Sequence, residues 1–105
     1  MSAVPEFDEL IHAPTRLSIV ALLAATEWAD FTFTRDSLGM SDSALSKQIA
    51  TLEQAGYVSV RKTGAGRSRR THLRLSATGR RAFRAHAAAL RQIIAAADAA
   101  DAAAR

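Results

Sequence analysis

The residues best suited to chemistry in this chain are cations, and they are concentrated. Arg67, Arg69 and Arg70 fall within four positions beside Ser68, with Gly64 and Gly66 just before them, Arg61 and Lys62 upstream and Arg74 downstream. Guanidinium groups match the geometry of phosphates, and so many like charges on a short stretch repel one another unless a polyanion neutralises them. Between Gln54 and Ala97 there are ten Lys and Arg residues and no acid; the rest of the chain holds four bases and all ten acids. A net charge of +4 therefore hides a basic half and an acidic half. Taken alone, a basic run is more often a solvated face kept for solubility. The elements that carry it must decide.

A second set of polar residues lies on a predicted helix from Asp42 to Ala55, capped by Ser41 and ended by Gly56. Leu45, Ile49 and Leu52 follow the i, i+4, i+7 spacing of a core face. At about 100° per residue the opposite side is Ser43, Lys47, Ala50 and Gln54, with Ala44 and Ser46 flanking. Small side chains around one lysine let a helix sink into a major groove about 12 Å wide. Lys47 reaches a guanine edge or a phosphate, Ser43 and Ser46 bond either, and the helix N-terminus favours an anion. Asp42 opposes that reading unless it supports the cap or reads a cytosine. Serine and lysine are also ordinary surface residues, so the helix by itself leaves the two readings even.

Other chemistry is poorly provided for. With no cysteine, disulfides and thiolate metal sites are excluded. Gly64-Ala65-Gly66 lacks both the spacing and the following helix of a phosphate-binding loop. His12, His72 and His86 fall on three predicted elements at no ligand spacing, which predicts one interfacial and two surface histidines rather than a metal site. No catalytic residue, cofactor or metal is expected.

The elements that must position these groups follow from periodicity and turn residues. Phe7, Leu10 and Ile11 suggest a short first helix ended by Pro14, and Thr15 is placed to cap a second helix, apolar on nearly every side, through Ala25. Asp30-Phe31-Thr32-Phe33 alternates and predicts a short strand, after which Thr34 caps a short helix, Arg35 to Leu38, closed by Gly39. With the Ser41–Ala55 helix this makes a helix-turn-helix. Two alternating runs, from Tyr57 to Lys62 and from Thr71 to Leu75, then form a hairpin around the glycine-bearing loop 64–68. Its valines and leucines share one face, and Arg61, His72 and Arg74 the other. Ser76 caps a long last helix with Phe83, Ala87, Leu90 and Ile94 on one stripe, His86 beside it, and an Ala-rich tail from Asp98 that is expected to fray.

At 105 residues the chain is expected to be one domain, with core and wing in about 6–75, a dimerisation helix in about 76–97 and a frayed tail in 98–105. No apolar run is long enough to cross a bilayer and no export signal is visible at the start, so a cytoplasmic location is expected. The fold class is α+β, mainly α: a winged helix-turn-helix with a β-hairpin wing and a long C-terminal helix.

Several stretches resemble the winged-helix regulators related to the MarR and ArsR families. These are His12-Ala13-Pro14-Thr15-Arg16-Leu17-Ser18-Ile19, then Leu38 to Ile49, Leu52-Glu53-Gln54-Ala55-Gly56-Tyr57-Val58, and Leu75-Ser76-Ala77-Thr78-Gly79-Arg80 after the wing. The similarity spans about residues 10 to 95, and is greatest to the compact subgroup that is little more than the DNA-binding domain with a dimerising last helix. The resemblance implies a sequence-specific regulator of double-stranded DNA, with Ser43, Ser46 and Lys47 at base-reading positions and the arginines of Gly66 to Arg70 in the wing. The full DNA-facing set is then Ser41, Ser43, Ala44, Ser46, Lys47, Gln48, Arg61, Lys62, Arg67, Ser68, Arg69 and Arg70. Gln48 departs from the histidine or arginine of many relatives, and the helical wheel turns it toward the core side.

A homodimer is expected through Phe7, Leu10, Ile11, Phe83, Ala87, Leu90 and Ile94, which would set two recognition helices about 34 Å apart on a near-palindromic operator. The same stripe packing on its own core is the plainer alternative. A small-molecule effector near Trp28 and the last helix is compatible with the sequence but written in no motif. The alternatives to a regulator are a winged-helix module that binds protein, which calls for a more apolar recognition helix and fewer wing arginines, and a non-specific DNA coat.

Overall fold

The computed structural model describes residues 6–105. In chain order these form α1 (Glu9–His12), α2 (Pro14–Ala24), β1 (Ala29–Asp30), α3 (Phe31–Ser37), α4 (Asp42–Gln54), β2 (Val58–Thr63), β3 (Arg70–Leu75) and α5 (Ala77–Ala103). The three strands make one antiparallel sheet in the order β1-β3-β2, and a single 3-10 turn, Gly66–Ser68, sits between β2 and β3. This is the mainly helical α+β architecture that the sequence predicts. Among the described residues no helix is long and apolar enough to cross a membrane.

The core forms where a helical period meets a strand period. Ile19, Val20 and Leu23 of α2 pack with Leu45, Ile49 and Leu52 of α4 against Val58, Leu73 and Leu75 of the sheet. Val60 pairs with Leu73 and Val58 with Leu75, so both strands send these side chains to one face. Burying each such side chain contributes on the order of 1.5–3 kcal/mol.

Four local expectations are corrected. Pro14 does not merely end the first helix; it occupies the first turn of α2, where its missing N–H costs nothing, and Thr15 provides no cap. The strand expected over Asp30–Phe33 is only Ala29–Asp30. Asp30 instead caps α3, its carboxylate accepting from the amides of Thr32 at 2.8 Å and Phe33 at 3.2 Å. Two amides satisfied by one carboxylate outweigh the local alternation. Thr34, expected as that cap, is buried and donates its hydroxyl to the Asp30 carbonyl at 3.0 Å. His86, expected at the surface or an interface, is fully buried where α5 meets α1.

The end of α4 is fastened to the start of α5. Gly56 takes φ 81° after the last turn, and the Tyr57 amide donates to the Leu52 carbonyl at 2.9 Å. The Tyr57 carbonyl accepts from the Ser76 amide at 2.9 Å. Ser76 caps α5 by accepting from the Gly79 amide at 2.9 Å, and its hydroxyl donates to the Gly56 carbonyl at 2.6 Å. Gly79 lies so close that a Cβ there would stand 2.2 Å from the Tyr57 carbonyl oxygen.

Beyond Leu90 every residue of α5 is exposed, and the segment expected to fray from Asp98 stays helical to Ala103. Alanine, the best helix former, dominates it. About 20 Å of rod therefore projects from the body. The radius of gyration is 16.6 Å and the long axis 62 Å, against about 13 Å for a compact chain of this size.

Replacing Gly79 by alanine should cost roughly 1–3 kcal/mol, because the added methyl meets backbone that is itself hydrogen-bonded. Urea unfolding of Gly79→Ala beside Ala82→Gly, on the same helix, checks this: the first should lose more than the ~1 kcal/mol of an ordinary helix glycine exchange.

Candidate nucleic-acid interface

The N-terminal half of α4 is presented as a polar, small-residue surface. Ser41 caps it, its hydroxyl oxygen accepting from the Ala44 amide at 3.1 Å, with Ser43 Oγ 3.4 Å away. Ser43, Ala44, Ser46, Lys47 and Ala50 are exposed, and Leu45, Ile49 and Leu52 are buried beneath them. Gln48 is half-buried, and its side-chain oxygen accepts from Arg16 of α2 at 3.0 Å. The other nitrogen of that guanidinium, Nε, donates to the Leu10 carbonyl at 2.6 Å, so Arg16 ties α1, α2 and α4 together.

Asp42 neither makes the cap nor stands free. Arg35 of α3 donates to its carboxylate at 2.6 Å and to Asp36 at 2.9 Å. The hydrogen bond to Asp36, then that to Asp42, holds the guanidinium proton more tightly than usual. The negative charge nearest the tip of α4 is thus answered inside the protein. This pair was out of reach of sequence reasoning, because it depends on α3 beginning at Phe31 rather than at Arg35.

The hairpin supplies the cations. All residues from Arg61 to Arg70 are exposed. Gly64 has φ 77°, and a Cβ on it would lie 2.3 Å from the Ser68 carbonyl oxygen, so the wing turns tightly only with glycine there. Ser68 closes the tip by donating to the Ala65 carbonyl at 2.8 Å. Among the described residues Arg67 and Arg69 have no acid within ion-pair distance, and Arg70 has only Asp30 at 3.9 Å. Lys62 and Thr71 face Ser46 and Ala50 across an open cleft floored by Ile49 and Leu73, which joins the hairpin to the exposed side of α4.

Arg61 sits differently. With Arg74 it lies on the outer face of the sheet, its guanidinium carbon 4.3 Å from the Trp28 ring centroid and that of Arg74 at 5.6 Å. Arg61 pairs across the strands with His72, whose buried Nδ1 has no hydrogen-bond partner among the described residues. The sequence does foreshadow the shared face, but not the tryptophan beneath it.

Of the residues expected to join two copies, Ile11 is fully buried in its own protomer, a correction that follows from α1 packing on α2 and α5. Phe83 and Leu10 are half-buried against the same core. Ala87 and Leu90 are half-buried, whereas Phe7 and Ile94 are exposed. Ile93, not singled out by the heptad-like spacing, is exposed beside Ile94, at 56% and 58%.

Comparison with known proteins agrees with this geometry. Residues 15–94 match the model of the winged helix DNA-binding domain family. An uncharacterized protein of Methanocaldococcus jannaschii is 26% identical over 76 residues, covering 72% of this chain and 83% of that protein. The transcriptional regulator homologue protein from Pyrococcus horikoshii OT3 has a similar structure, with a TM-score of 0.81 and 25% identity over 87% of this chain and 90% of that one. The PcaV transcriptional regulator from Streptomyces coelicolor shares the fold at a TM-score of 0.69 and 21% identity, over 82% of this chain and 60% of its own. The likeness to winged-helix regulators read from the residues is borne out.

Ser41→Ala removes the α4 cap and should lower stability by about 0.5–2 kcal/mol, read by urea unfolding. Ser43→Ala, one turn position further and outside the cap, should leave the midpoint nearly unchanged.

Proposed function

This chain belongs to the winged helix DNA-binding domain family, and from that premise we propose that it works as a homodimeric, sequence-specific transcriptional regulator. The family is one of DNA-binding domains, which sets enzymatic catalysis aside. In this reading α4 enters the major groove, Ser43, Ser46 and Lys47 meet base edges or phosphates, and the wing carries Arg67 and Arg69 to the backbone or the minor groove. Ser41, Ala44 and Lys62 line the approach; Gln48 and Arg61 act from behind it, through Arg16 and Trp28.

The observation that carries the proposal is the distribution of compensated and uncompensated charge. The acid at the tip of α4 is paired with Arg35, which it shares with Asp36, while among the described residues Arg67 and Arg69 have no acid within ion-pair distance. A surface built to bind protein would gain nothing from that arrangement, whereas a polyanion neutralises it.

The dimer is supported by the projecting part of α5. Ile93 and Ile94 are adjacent exposed apolar residues on a stretch of helix that is exposed throughout. Pairing two such rods buries them and spaces two copies of α4 for half-sites about one helical turn apart. The division of labour is then residues 6–75 for DNA and the last helix for assembly.

Capture of sheared genomic DNA on the purified protein at physiological salt, followed by sequencing, tests the reading. A recurring inverted repeat is the expected result. Uniform recovery would make the protein a non-specific DNA coat, and no recovery would point to a protein partner.

Three predictions follow the same lines. Arg67→Ala/Arg69→Ala should flatten the plot of log affinity against log salt by about two contacts' worth, each roughly 0.9 in slope. Lys47→Ala should cost about 1–3 kcal/mol if it reads a base, with relaxed preference at one position. Sedimentation should find Ile93→Ser/Ile94→Ser monomeric at concentrations where the unchanged chain is dimeric.

A further inference from the structure

One buried titratable group takes no part in the surface just described. His86 of α5 is fully enclosed, yet it has polar partners on both ring nitrogens. The Asp8 backbone amide donates to its Nδ1 at 2.9 Å, and its Nε2 lies 3.2 Å from Nδ1 of His12. The Phe7 ring packs on both imidazoles, with centroids 4.6 Å from each.

These contacts fix the protons. A backbone amide only donates, so His86 Nδ1 must carry the lone pair, and the single proton of the neutral ring sits on Nε2. That N–H points at His12 Nδ1, which must then be the acceptor. The two hydrogen bonds can form together only while both rings are neutral, each in one tautomer. A proton added to His86 would set N–H against the Asp8 N–H; one added to His12 would set N–H against the His86 N–H. Either proton removes a hydrogen bond and leaves two donors face to face.

The charged groups around the pair do not offset this. The Asp8 carboxylate is occupied, with one oxygen accepting from the Ile11 amide at 3.0 Å and the other from the Tyr57 hydroxyl at 2.6 Å. That bond, with burial, pushes Tyr57 up to about 12, so the phenol stays a donor. Glu9 of α1 attracts a proton to His86 from a distance, and the charge that α2 brings to this end of α1 is Arg16, bound to the Leu10 carbonyl. On α5 itself the residues one turn away are Ala82, Phe83, Ala89 and Leu90. Burial first, and second the repulsion a protonated His12 would exert, outweigh Asp8 and Glu9 and hold His86 below its ordinary 6.5.

We propose that the His12–His86 pair is a proton-operated latch that, while neutral, clamps α1 and the segment before it onto α5 and, through Asp8, onto the Tyr57 turn behind the recognition helix. When either ring is protonated the clamp opens, and the turn that ends α4 loses its hydrogen bond to Asp8. Acid thereby loosens the support of the α4 surface without touching the surface itself.

The direction of the pH effect follows from linkage. A histidine whose value is depressed in the closed state contributes its full stabilisation above 6.5. The contribution is lost as pH falls below that, and the closing equilibrium weakens by up to about tenfold per pH unit through His86.

The test is imidazole nitrogen NMR and amide hydrogen exchange on the full chain between pH 8 and pH 5. At pH 8, His86 should carry its proton on Nε2 and His12 on Nε2. After correction for intrinsic exchange, protection of the Asp8 and Ile11 amides should fall at least tenfold by pH 5, while Leu23 and Leu73 hold theirs. His86→Gln should abolish that pH dependence. Should that variant not fold, His12→Gln, at an exposed position, removes one titrating ring and should flatten the profile. Equal protection at both pH values, the opposite tautomer on His86, or a pH-dependent loss that survives His12→Gln unchanged would each overturn the latch. None of these readouts requires DNA, so the latch stands or falls separately from the regulator reading.

Discussion

The arrangement of this molecule turns on how closely α5 approaches the turn at Tyr57. The Tyr57 carbonyl takes the Ser76 amide, and Gly79 leaves no room for a side chain against the same oxygen. That contact sets where the last helix starts relative to the end of the recognition helix. It also closes the hairpin, because Val58 and Leu75, the next residues on either side, are partners in the sheet. The phenol of the same residue reaches Asp8, so α1 joins the junction too. Hydrogen bonds buried together in this way are costly to break singly, since each leaves an unpaired polar group behind.

From that junction two surfaces diverge. One is the tip of α4 with the wing, where Asp42 is paired with Arg35 and, among the described residues, Arg67 and Arg69 have no acid within ion-pair distance. The other is the rod of α5, favoured as a helix by its alanines and exposed past Leu90. Apart from both lies the cluster of Phe7, His12 and His86, in which His86 is fully buried while Phe7 and His12 are exposed. The body is held by about ten buried aliphatic side chains, and its net margin is expected to be small, as for any domain of this size. Contributions of a kilocalorie from a cap or a glycine are therefore visible in unfolding.

Most of the fold was legible because it is written in local patterns. Leu45, Ile49 and Leu52 on one side and Val58, Val60, Leu73 and Leu75 on the other are periodicities that survive any packing. Ser41 and Ser76 act as the caps the sequence announces. What misled was competition between two local signals of similar strength. The alternation of Asp30 to Phe33 spells a strand, but the Asp30 carboxylate can satisfy two amides if the chain turns helical at Phe31, and it does. At Pro14 one residue fits both the end of a helix and the start of the next.

The candidate site divides along the same line. The sequence by itself determined which residues are basic, that they cluster on a glycine-bearing hairpin, and that the opposite face of α4 is small and polar. Charge and side-chain size belong to the residue and need no neighbour. Tertiary structure alone decided which charges are already spent: Arg35 on Asp42, Arg16 on Gln48, Arg61 and Arg74 on Trp28. It alone brought His12 and His86, 74 residues apart, to 3.2 Å. Such pairings depend on the angle at which whole elements cross, and that angle is set by the sum of core contacts, not by any segment's own preference.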